Sequence, residues 1–455
     1  MTVRYTSHPD PANDPGHDAL DRAADIGIST LRAAGVAGVV SVGRSDHWQV
    51  KVRGGAIETV SSAITRGLRI TAYAAGNRCG SCTASDLDPA AVTALARRAA
   101  ELAAYGDADP CAGLPDAGEC GLAGGDLQLD DPAVAALDRD TLVPTVIAAE
   151  RIALAHDPRI IASHRSGASC RRGESVFATT DGVRSRHGGT SVGFHVIVVA
   201  EANGEKQHGW YATSDRFLTG LKSAEAVGRE AGRRAVQLYG WKAPPTGPAR
   251  VLLHREAAGE LLGAIAHAAS GGRVYRGATY LHDQLGQAIA AESVTIVDDP
   301  LIPRAQGSRP CDGEGVRSRR INLVEGGRLT TFLVDAYAAR RLKHPYTGHS
   351  GGIANLSLVP GVAGWDELVA ELGTGLIVTE FHGNGVDLAS GSFSKGVSGF
   401  WVEHGRVVHP VQEATVGGNL RQLLPGIRAI GNDPEDQTTV SSPSLLIDGF
   451  TVGGK

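Results

Sequence analysis

The sequence has few of the features that mark several protein classes. Of its 455 residues only six are cysteine, irregularly spaced, which argues against a disulfide framework and favours a reducing compartment. The longest apolar runs, near residues 192–200 and 261–269, are too short to cross a bilayer. The net charge is −5 without a basic stripe, and residues 1–18 are polar, without the apolar core of a signal peptide. We therefore expect a soluble cytoplasmic protein that binds neither membrane nor nucleic acid.

Glycine, in contrast, is abundant: the chain has 60, about twice the typical share of roughly 7%. Such a content predicts many tight turns. The length suggests about three units of roughly 150 residues each. We predict an N-terminal α/β domain at residues 1–105, a central α/β domain at 106–245 and a β-rich C-terminal domain at 246–455. A Gly-, Asp- and Pro-rich stretch at 106–132 and a stiff proline-rich linker at 243–248 mark the boundaries.

The predicted fold class is α+β and multi-domain, with short C-terminal strands that curl into a barrel or a sandwich. Apolar periodicity and end signals predict helices at 18–34, 89–105, 142–156, 223–239, 255–269, 335–343 and 365–372. Alternating patterns and turn residues predict hairpins at 48–60, 192–213, 321–333 and 400–411, the second turning at Asn203 and Gly204.

Three short motifs suggest chemistry that their contexts do not favour. Cys79 and Cys82 form a CxxC between a strand and a polar loop, where no helix start lowers a thiol pKa. Ser191 and Ser350 lie in GxSxG patterns, but neither stands between a strand and a helix as a nucleophile elbow requires. Ser392 to Lys395 reads SxxK without the motifs that accompany it in serine hydrolases. Neither a Walker loop nor a dinucleotide fingerprint occurs.

The segment that matters most for the chemistry is a strand running into a helix near residue 254. Glu256, Glu260 and His267 are spaced so that they can share one helix face. Two carboxylates one turn apart and a distant histidine make a poor zinc ligand set. On the residues alone, a helix with a solvated acidic edge is the simpler interpretation.

From this helix onward the sequence resembles the TldD/TldE metallopeptidase family, and specifically its TldE (PmbA) branch. The resemblance covers most of the chain and is most specific at residues 250–440. The stretches that carry it are GGRVYR at 271–276, DGEGVR at 312–317, TGHSGGI at 347–353, ELGTGL at 371–376, GSFSKG at 391–396, FWVE at 400–403 and GGNL at 417–420.

The resemblance implies a cytoplasmic metallopeptidase of two homologous subunits, in which TldD carries an HExxxH motif and a zinc-binding cysteine near its C-terminus. Here Glu256 matches the catalytic glutamate, but Arg255 and Glu260 occupy the histidine positions. Ser441 and Ser442 stand near the cysteine position. A guanidinium cannot ligate zinc, so we expect no metal or other cofactor in this chain and zinc in a TldD-like partner. We also expect Arg255 to pair with Glu256 and Glu260.

The leading hypothesis is a scaffold and substrate-binding subunit that acts with its partner on unfolded peptides or peptide precursors. Polar residues on glycine-rich loops are candidates for contacting the peptide, although ordinary turn chemistry explains each of them equally well. These candidates are His349, Asn355, His382, Asn384, Ser394 and Lys395.

Two alternatives remain open. The first is an autonomous hydrolase, either with a non-standard metal site formed by His254, Glu256 and Glu260 with His267 or His282, or without a metal site. The second is a non-catalytic binding protein that forms a homodimer.

Overall fold

In the computed structural model, which describes residues 15–435 and 437–454, the N-terminal half is built on one seven-stranded antiparallel sheet. Its strands are β1 (Ala37–Arg53), β2 (Ala56–Ala74), β3 (Arg78–Ala84), β4 (Ile160–Ser163), β5 (Ser166–Thr179), β6 (Arg184–Ala202) and β7 (Glu205–Asp215). The order is β3-β2-β1-β5-β6, with β4 continuing β5 along one edge of β6 and β7 on the other edge.

Helices cover this sheet at two places and form two separate cores. The helices are α1 (Pro15–Ala33), α2 (Pro89–Tyr105), α3 (Pro132–Ala135), α4 (Arg139–Leu154) and α5 (Ala224–Val236). Val40 and Val42 of β1 pack in the core with α1 and α2, whereas Val50 and Val52 of the same strand pack in the core with α4 and α5. The first two predicted domains thus share one continuous sheet, and their boundary at residue 105 stays a prediction.

The C-terminal half contains a closed barrel and a smaller sheet. Its helices are α6 (Arg255–Ala268), α7 (Gly271–Val274), α8 (Ala336–Leu342), α9 (Trp365–Leu372) and α10 (Leu420–Leu423). Its strands are β8 (Gly247–Leu253), β9 (Ile296–Asp298), β10 (Ile321–Glu325), β11 (Arg328–Leu329), β12 (Leu356–Leu358), β13 (Gly375–His382), β14 (Val386–Asp387), β15 (Ser392–Glu403), β16 (Arg406–Asn419), β17 (Ile427–Ile430), β18 (Val440–Ser441) and β19 (Leu445–Gly453).

Five of these strands close on themselves in the order β13-β8-β19-β16-β15, and β15 returns to pair with β13. The smaller sheet has the order β11-β10-β9-β12-β18. The predicted α+β class with a β-rich C-terminal domain is confirmed, and of the two predicted forms the barrel is the one adopted. No helix in the described part of the chain has the length and apolar character needed to span a membrane.

Strong local signals placed several elements correctly. Pro89 occupies the first turn of α2, where its missing N–H costs nothing. Asn203 and Gly204 both have positive φ and join β6 to β7 as predicted. The main difference lies in β1 and β2, which run for 17 and 19 residues, so that the hairpin predicted at 48–60 is only part of a much longer pair. The middle of β2 is exposed and polar, so its sequence shows no alternation of apolar and polar residues. The strand continues there because it pairs with β1.

Candidate functional site

The helix that carries the motif positions begins where a barrel strand ends. Strand β8 lies between β13 and β19, and the backbone N–H of His254 donates to the Val378 carbonyl at 2.9 Å. Arg255 and Glu256 therefore occupy the first turn of α6 at a rigid position. An acidic residue in the first turn and His267 in the last turn suit the helix dipole.

A cleft of about 930 Å³ opens along this helix between the central domain and the barrel. The central domain contributes Trp210 from β7 and Arg234 from α5, and the barrel contributes Phe381 from β13. Glu256 and Glu260 line the cleft from α6. The predicted motif positions are thus placed on a large cavity.

Glu256 is held by an arginine from the neighbouring domain. Arg234 Nη1 donates to Glu256 Oε2 at 2.9 Å, and Arg234 Nη2 contacts the other carboxylate oxygen. Arg234 Nε donates to Glu230 at 2.7 Å, and the guanidinium lies 4.9 Å from the Tyr211 ring centroid. Burial acts to raise the pKa of Glu256, but the hydrogen bonds from Arg234 outweigh it and the pKa lies below its ordinary value. Glu256 is therefore an ionised, fixed carboxylate.

Arg255 pairs with a distant loop, so the expected ion pair with Glu256 and Glu260 is wrong. Its Nε lies 3.4 Å from Glu435 Oε2, and Glu435 also accepts a hydrogen bond from Lys222 Nζ at 3.0 Å. Adjacent residues on a helix point in different directions, and side chains five apart lie beyond the i+4 contact. The helix geometry therefore directs Arg255 away from both glutamates.

Glu260, the third motif position, pairs with Lys395 of β15. The Lys395 ammonium donates to Glu260 Oε2 at 2.6 Å and lies 5.0 Å from the Phe381 ring centroid. The side chain of Glu260 is 48% exposed and that of Lys395 only 11%. Lys395 thus lies at the margin of the cleft, and its role as a peptide contact stays a prediction.

These donors do not suit a zinc ion. The carboxylates of Glu256 and Glu260 are each matched by a basic side chain, and the residues described by the structure contain no cluster of three or more His, Cys, Asp and Glu side chains fit for a metal. The His254 ring packs edge-on against Trp365 at 5.7 Å, and burial lowers the pKa of His254. His267 is exposed and lines the same cleft, whereas His282 is exposed and lies outside the cleft lining.

The C-terminal segment that would supply the family's cysteine does reach the cleft. Thr438 and Val440 line it, and Ser441 Oγ donates to the Glu435 carbonyl at 2.6 Å. The buried hydroxyl of Ser442 lies 2.9 Å from the Pro443 carbonyl. The fold therefore brings this segment next to the motif helix, and the match of Ser441 and Ser442 to the family's cysteine stays a prediction.

Two of the predicted peptide contacts are buried. His349 Nε2 lies 2.9 Å from Asp298 Oδ2, and its Nδ1 lies 2.8 Å from the Thr347 carbonyl. Asn355 donates to the Asp299 carbonyl at 2.7 Å and accepts from the Gly307 N–H at 2.9 Å. Neither residue lines the cleft: His349 attaches its loop to Asp298 of β9, and Asn355 attaches the start of β12 to the loop that follows β9.

The other predicted contacts gather at one end of the β13–β15 pair. His382 lies opposite Gly396 in the register, and the Ser394 N–H donates to the Gly385 carbonyl at 2.7 Å. Three of the candidates are exposed at this end: His382, Asn384 and Ser394. They are accessible, and their binding role stays a prediction.

The motifs set aside on context do lie on unsuitable elements. Cys79 and Cys82 fall on β3 three residues apart, so their side chains point to opposite sides of the sheet. Burial raises the pKa of the Cys79 thiol, the reverse of what a redox pair needs. Ser191 lies within β6, and Ser392 and Lys395 lie on a strand instead of a helix.

Sequence reasoning missed the partners of the motif positions. No motif or spacing in the sequence relates Arg234, Lys222 or Glu435 to the motif helix. Each comes from a segment distant along the chain from α6. Only the fold makes them neighbours of the motif helix.

The chain matches three family models over most of its length. They are the PmbA/TldA metallopeptidase domain 1 at residues 38–103, the central domain at 133–239 and the C-terminal domain at 246–454. Among curated proteins, it is 32% identical to metalloprotease PmbA of Escherichia coli O157:H7 over 436 residues, which is 96% of each chain. It is 30% identical to the PmbA homolog of Haemophilus influenzae, again over 96% of each chain.

Solved structures share the whole architecture. A protein of Bacteroides thetaiotaomicron has a TM-score of 0.90 at 24% identity, with 97% of this chain and 100% of that chain covered. TldE of Thermococcus kodakarensis has a TM-score of 0.81 at 19% identity, with 96% and 100% covered. At these identities the likeness establishes the fold alone.

Proposed function

We propose a function from one premise: this chain belongs to the PmbA/TldD family of metallopeptidases. The family membership supports a peptidase role. In our proposal the chain is the TldE (PmbA)-type subunit of a two-component cytoplasmic enzyme. It holds no zinc itself, and a TldD-like subunit carries the metal in a heterodimer or a larger assembly.

The observation that carries this proposal is the pairing of the motif positions. Arg234 binds Glu256, Lys395 binds Glu260, and Arg255 lies against Glu435. A carboxylate that is matched by a cation would have to lose that partner before it could ligate a metal, and the arginine brings its own positive charge to the site. Glu256 therefore has a structural place here instead of serving as a general base.

The proposed contribution of the chain is to hold unfolded peptides or peptide precursors. Trp210 offers a large apolar surface at the cleft. Among the described residues, strand β7, which carries Trp210, pairs with β6 alone. An extended peptide can add to such an edge through main-chain hydrogen bonds, which makes binding tolerant of sequence.

The test compares the isolated chain with its mixture with an HExxxH-bearing homologous subunit. Zinc content is measured for each protein, and cleavage of a labelled unfolded polypeptide is followed with and without chelator. We expect no bound zinc and no cleavage for the isolated chain, and chelator-sensitive cleavage in the mixture. Glu256→Gln in this chain should leave the activity of the mixture within about twofold of the unmodified protein, since a carboxylate that only pairs with Arg234 takes no part in the chemistry.

Two results would contradict the proposal. Stoichiometric zinc with chelator-sensitive cleavage by the isolated chain would identify an autonomous hydrolase. A homodimer that neither binds the homologous subunit nor increases its activity would identify a separate binding protein.

A further inference from the structure

A second cleft, of about 720 Å³, lies on the N-terminal sheet and shares no lining residue with the first. Strands β1, β2, β5 and β6 form its floor, and the segment 306–309 borders it. The described lining contains one acidic residue, Glu174. It contains six basic or imidazole side chains, namely Arg44, Arg66, Arg171, Arg216, Arg309 and His187.

Several of these arginines have no carboxylate partner. Arg171 Nε donates to the Ser45 hydroxyl at 2.8 Å, and an Nη of Arg309 donates to the Gly352 carbonyl. Neither forms an ion pair with a described acidic residue. Arg44, in contrast, pairs with Asp46 at 2.9 Å. The charge of Arg309 also acts on the nearby carboxylate of Asp312, which lies outside the lining. The lining itself therefore has an excess of basic side chains without directly paired carboxylates in the part of the protein that is described.

Arg216 fixes the border of the cleft instead of offering charge to it. Its Nε donates to the Ala305 carbonyl at 2.8 Å, and its Nη2 donates to the Gln306 carbonyl at 2.6 Å. Burial lowers the pKa of Arg216. With its donors used on backbone carbonyls, this arginine holds the 306–309 segment over the sheet.

Two buried nitrogen atoms in the cleft lack hydrogen-bond partners among the described residues: Arg309 Nε and His187 Nδ1. The two groups are close enough that, besides burial, the charge of Arg309 lowers the pKa of His187. The Ser175 hydroxyl lies 3.1 Å from His187 Nε2. When that hydroxyl donates to Nε2, Nδ1 carries the ring proton and is a free donor. Buried donors without partners are rare in folded proteins and call for an acceptor.

Several positions on the floor of the cleft are glycines, which place no side chain in it. Gly43 pairs with Gly67, and Gly173 pairs with Gly189 across the strands. A Cβ at Gly189 would lie 2.6 Å from Arg216 Nη1 and 3.0 Å from the Leu129 carbonyl oxygen. A side chain at this position would displace Arg216, so glycine keeps the cleft open.

We propose that this cleft is an oxyanion-binding site in which Arg171, Arg309 and His187 hold a carboxylate or phosphate group of a ligand. A guanidinium presents paired N–H donors that match either group. The acceptor would satisfy Arg309 Nε, would also satisfy His187 Nδ1 when that nitrogen carries the ring proton, and would offset the excess of basic side chains. The inference concerns a site separate from the α6 cleft and does not depend on the proposed peptidase role.

The test measures binding by titration calorimetry of the full chain at low ionic strength. Inorganic phosphate and hexaglutamate are the two anionic probes, and hexaglutamine is the uncharged match for the second. We expect the chain to bind at least one anionic probe and not hexaglutamine. Arg171→Gln and Arg309→Gln should each weaken that binding about tenfold or more, as expected for the loss of a charge-assisted hydrogen bond.

Arg98→Gln is the matched control, because it removes the same charge from an exposed position on α2. It should leave the affinity unchanged. Phosphate binding alone would identify phosphate as the source of the oxyanion, and hexaglutamate binding alone would identify a carboxylate.

The proposal is overturned if neither anionic probe binds, or if both cleft variants bind as tightly as Arg98→Gln. Should Arg309→Gln fail to fold, as judged by its circular dichroism, the exposed Arg171 carries the test by itself.

Discussion

The cleft beside α6 and the arginine-rich cleft on the N-terminal sheet are both lined by charged side chains, but they differ in how those charges are matched. In the first, Glu256 and Glu260 have cationic partners and Arg255 lies against Glu435. In the second, Arg171 and Arg309 donate to a hydroxyl and a carbonyl. The second also contains the buried donors that lack partners.

Charges that are paired within the protein stabilise the fold, whereas cations without a carboxylate partner are available to bind a ligand. A matched pair of half-buried charges is costly to break, because the remaining group keeps its desolvation penalty. A cation without a carboxylate partner leaves no opposite charge behind when it is removed. The first cleft should therefore respond to mutation mainly through stability, and the second mainly through binding.

The largest expected effect is that of Arg234→Met. This change leaves Glu230 and Glu256 half-buried without their shared cation, and the free energy of unfolding should fall by about 2–3 kcal/mol. Arg233→Met is the matched control. It removes a neighbouring arginine that also binds Glu230 but whose side chain is 53% exposed, so about 0.5 kcal/mol is expected. Urea unfolding of both variants measures the difference, and equal losses would contradict the contrast.

Acid should weaken the same network. Burial acts to raise the pKa of Glu230, but hydrogen bonds from Arg233 and Arg234 outweigh it and lower the pKa to about 2. A depressed carboxyl pKa stabilises the fold above the unfolded-state value, near 4.5, and this stabilisation is lost as the pH falls towards 2.

Wild type should therefore lose on the order of 1–2 kcal/mol more than Glu230→Gln when the pH is lowered through this window. Denaturant midpoints at several pH values measure the loss. Glu225→Gln removes an exposed carboxylate from the same helix and should follow wild type. If Glu230→Gln loses as much unfolding free energy as wild type when the pH is lowered, the ionised Glu230 does not contribute to the pH dependence of stability.

Lys395→Met tests the most exposed pair of the first cleft. Because Glu260 can be solvated once Lys395 is lost, the free energy of unfolding should fall by only about 0.5 kcal/mol. Glu260→Gln should lose somewhat more, about 1 kcal/mol, because it leaves the less exposed Lys395 ammonium without its carboxylate. Thermal unfolding of the two variants provides the measurement. A loss comparable to that of Arg234→Met would show that exposure does not rank these pairs.

The smallest expected effect on stability is that of Arg171→Gln in the second cleft. Since no carboxylate is left unpaired, the free energy of unfolding should change by less than about 0.5 kcal/mol in either direction. Urea unfolding in a buffer without phosphate measures it. A loss above about 1.5 kcal/mol would assign this arginine to the fold and would remove the contrast between the clefts.

Local signals were the part of the fold that the sequence predicted well. Pro89 marked the start of α2, Asn203 and Gly204 marked the turn from β6 to β7, and the strand before residue 254 led into α6 as expected. Each depends on a few neighbouring residues. The full lengths of β1 and β2 were missed, because pairing between the strands maintains them where the sequence pattern fades.

In the candidate site, too, the local features were predicted from the sequence and the long-range contacts were not. The positions of Arg255, Glu256 and Glu260 on the motif helix were predicted, whereas their partners were not. Lys395 lies 135 residues from Glu260 along the chain, and nothing in the local sequence relates the two. His349 illustrates the opposite error: its glycine-rich surroundings indicated an accessible loop, but packing buries it against Asp298.

The sequence by itself determined which atoms stand at the motif positions, and hence that two of them carry no imidazole. That conclusion needs no coordinates, since the identity of a side chain decides whether it has a lone pair for a metal. Only the tertiary structure decided which cation meets each glutamate and which arginines face a cleft without a partner. Ion pairing depends on separation in space and on burial, and both arise when segments distant along the chain pack together.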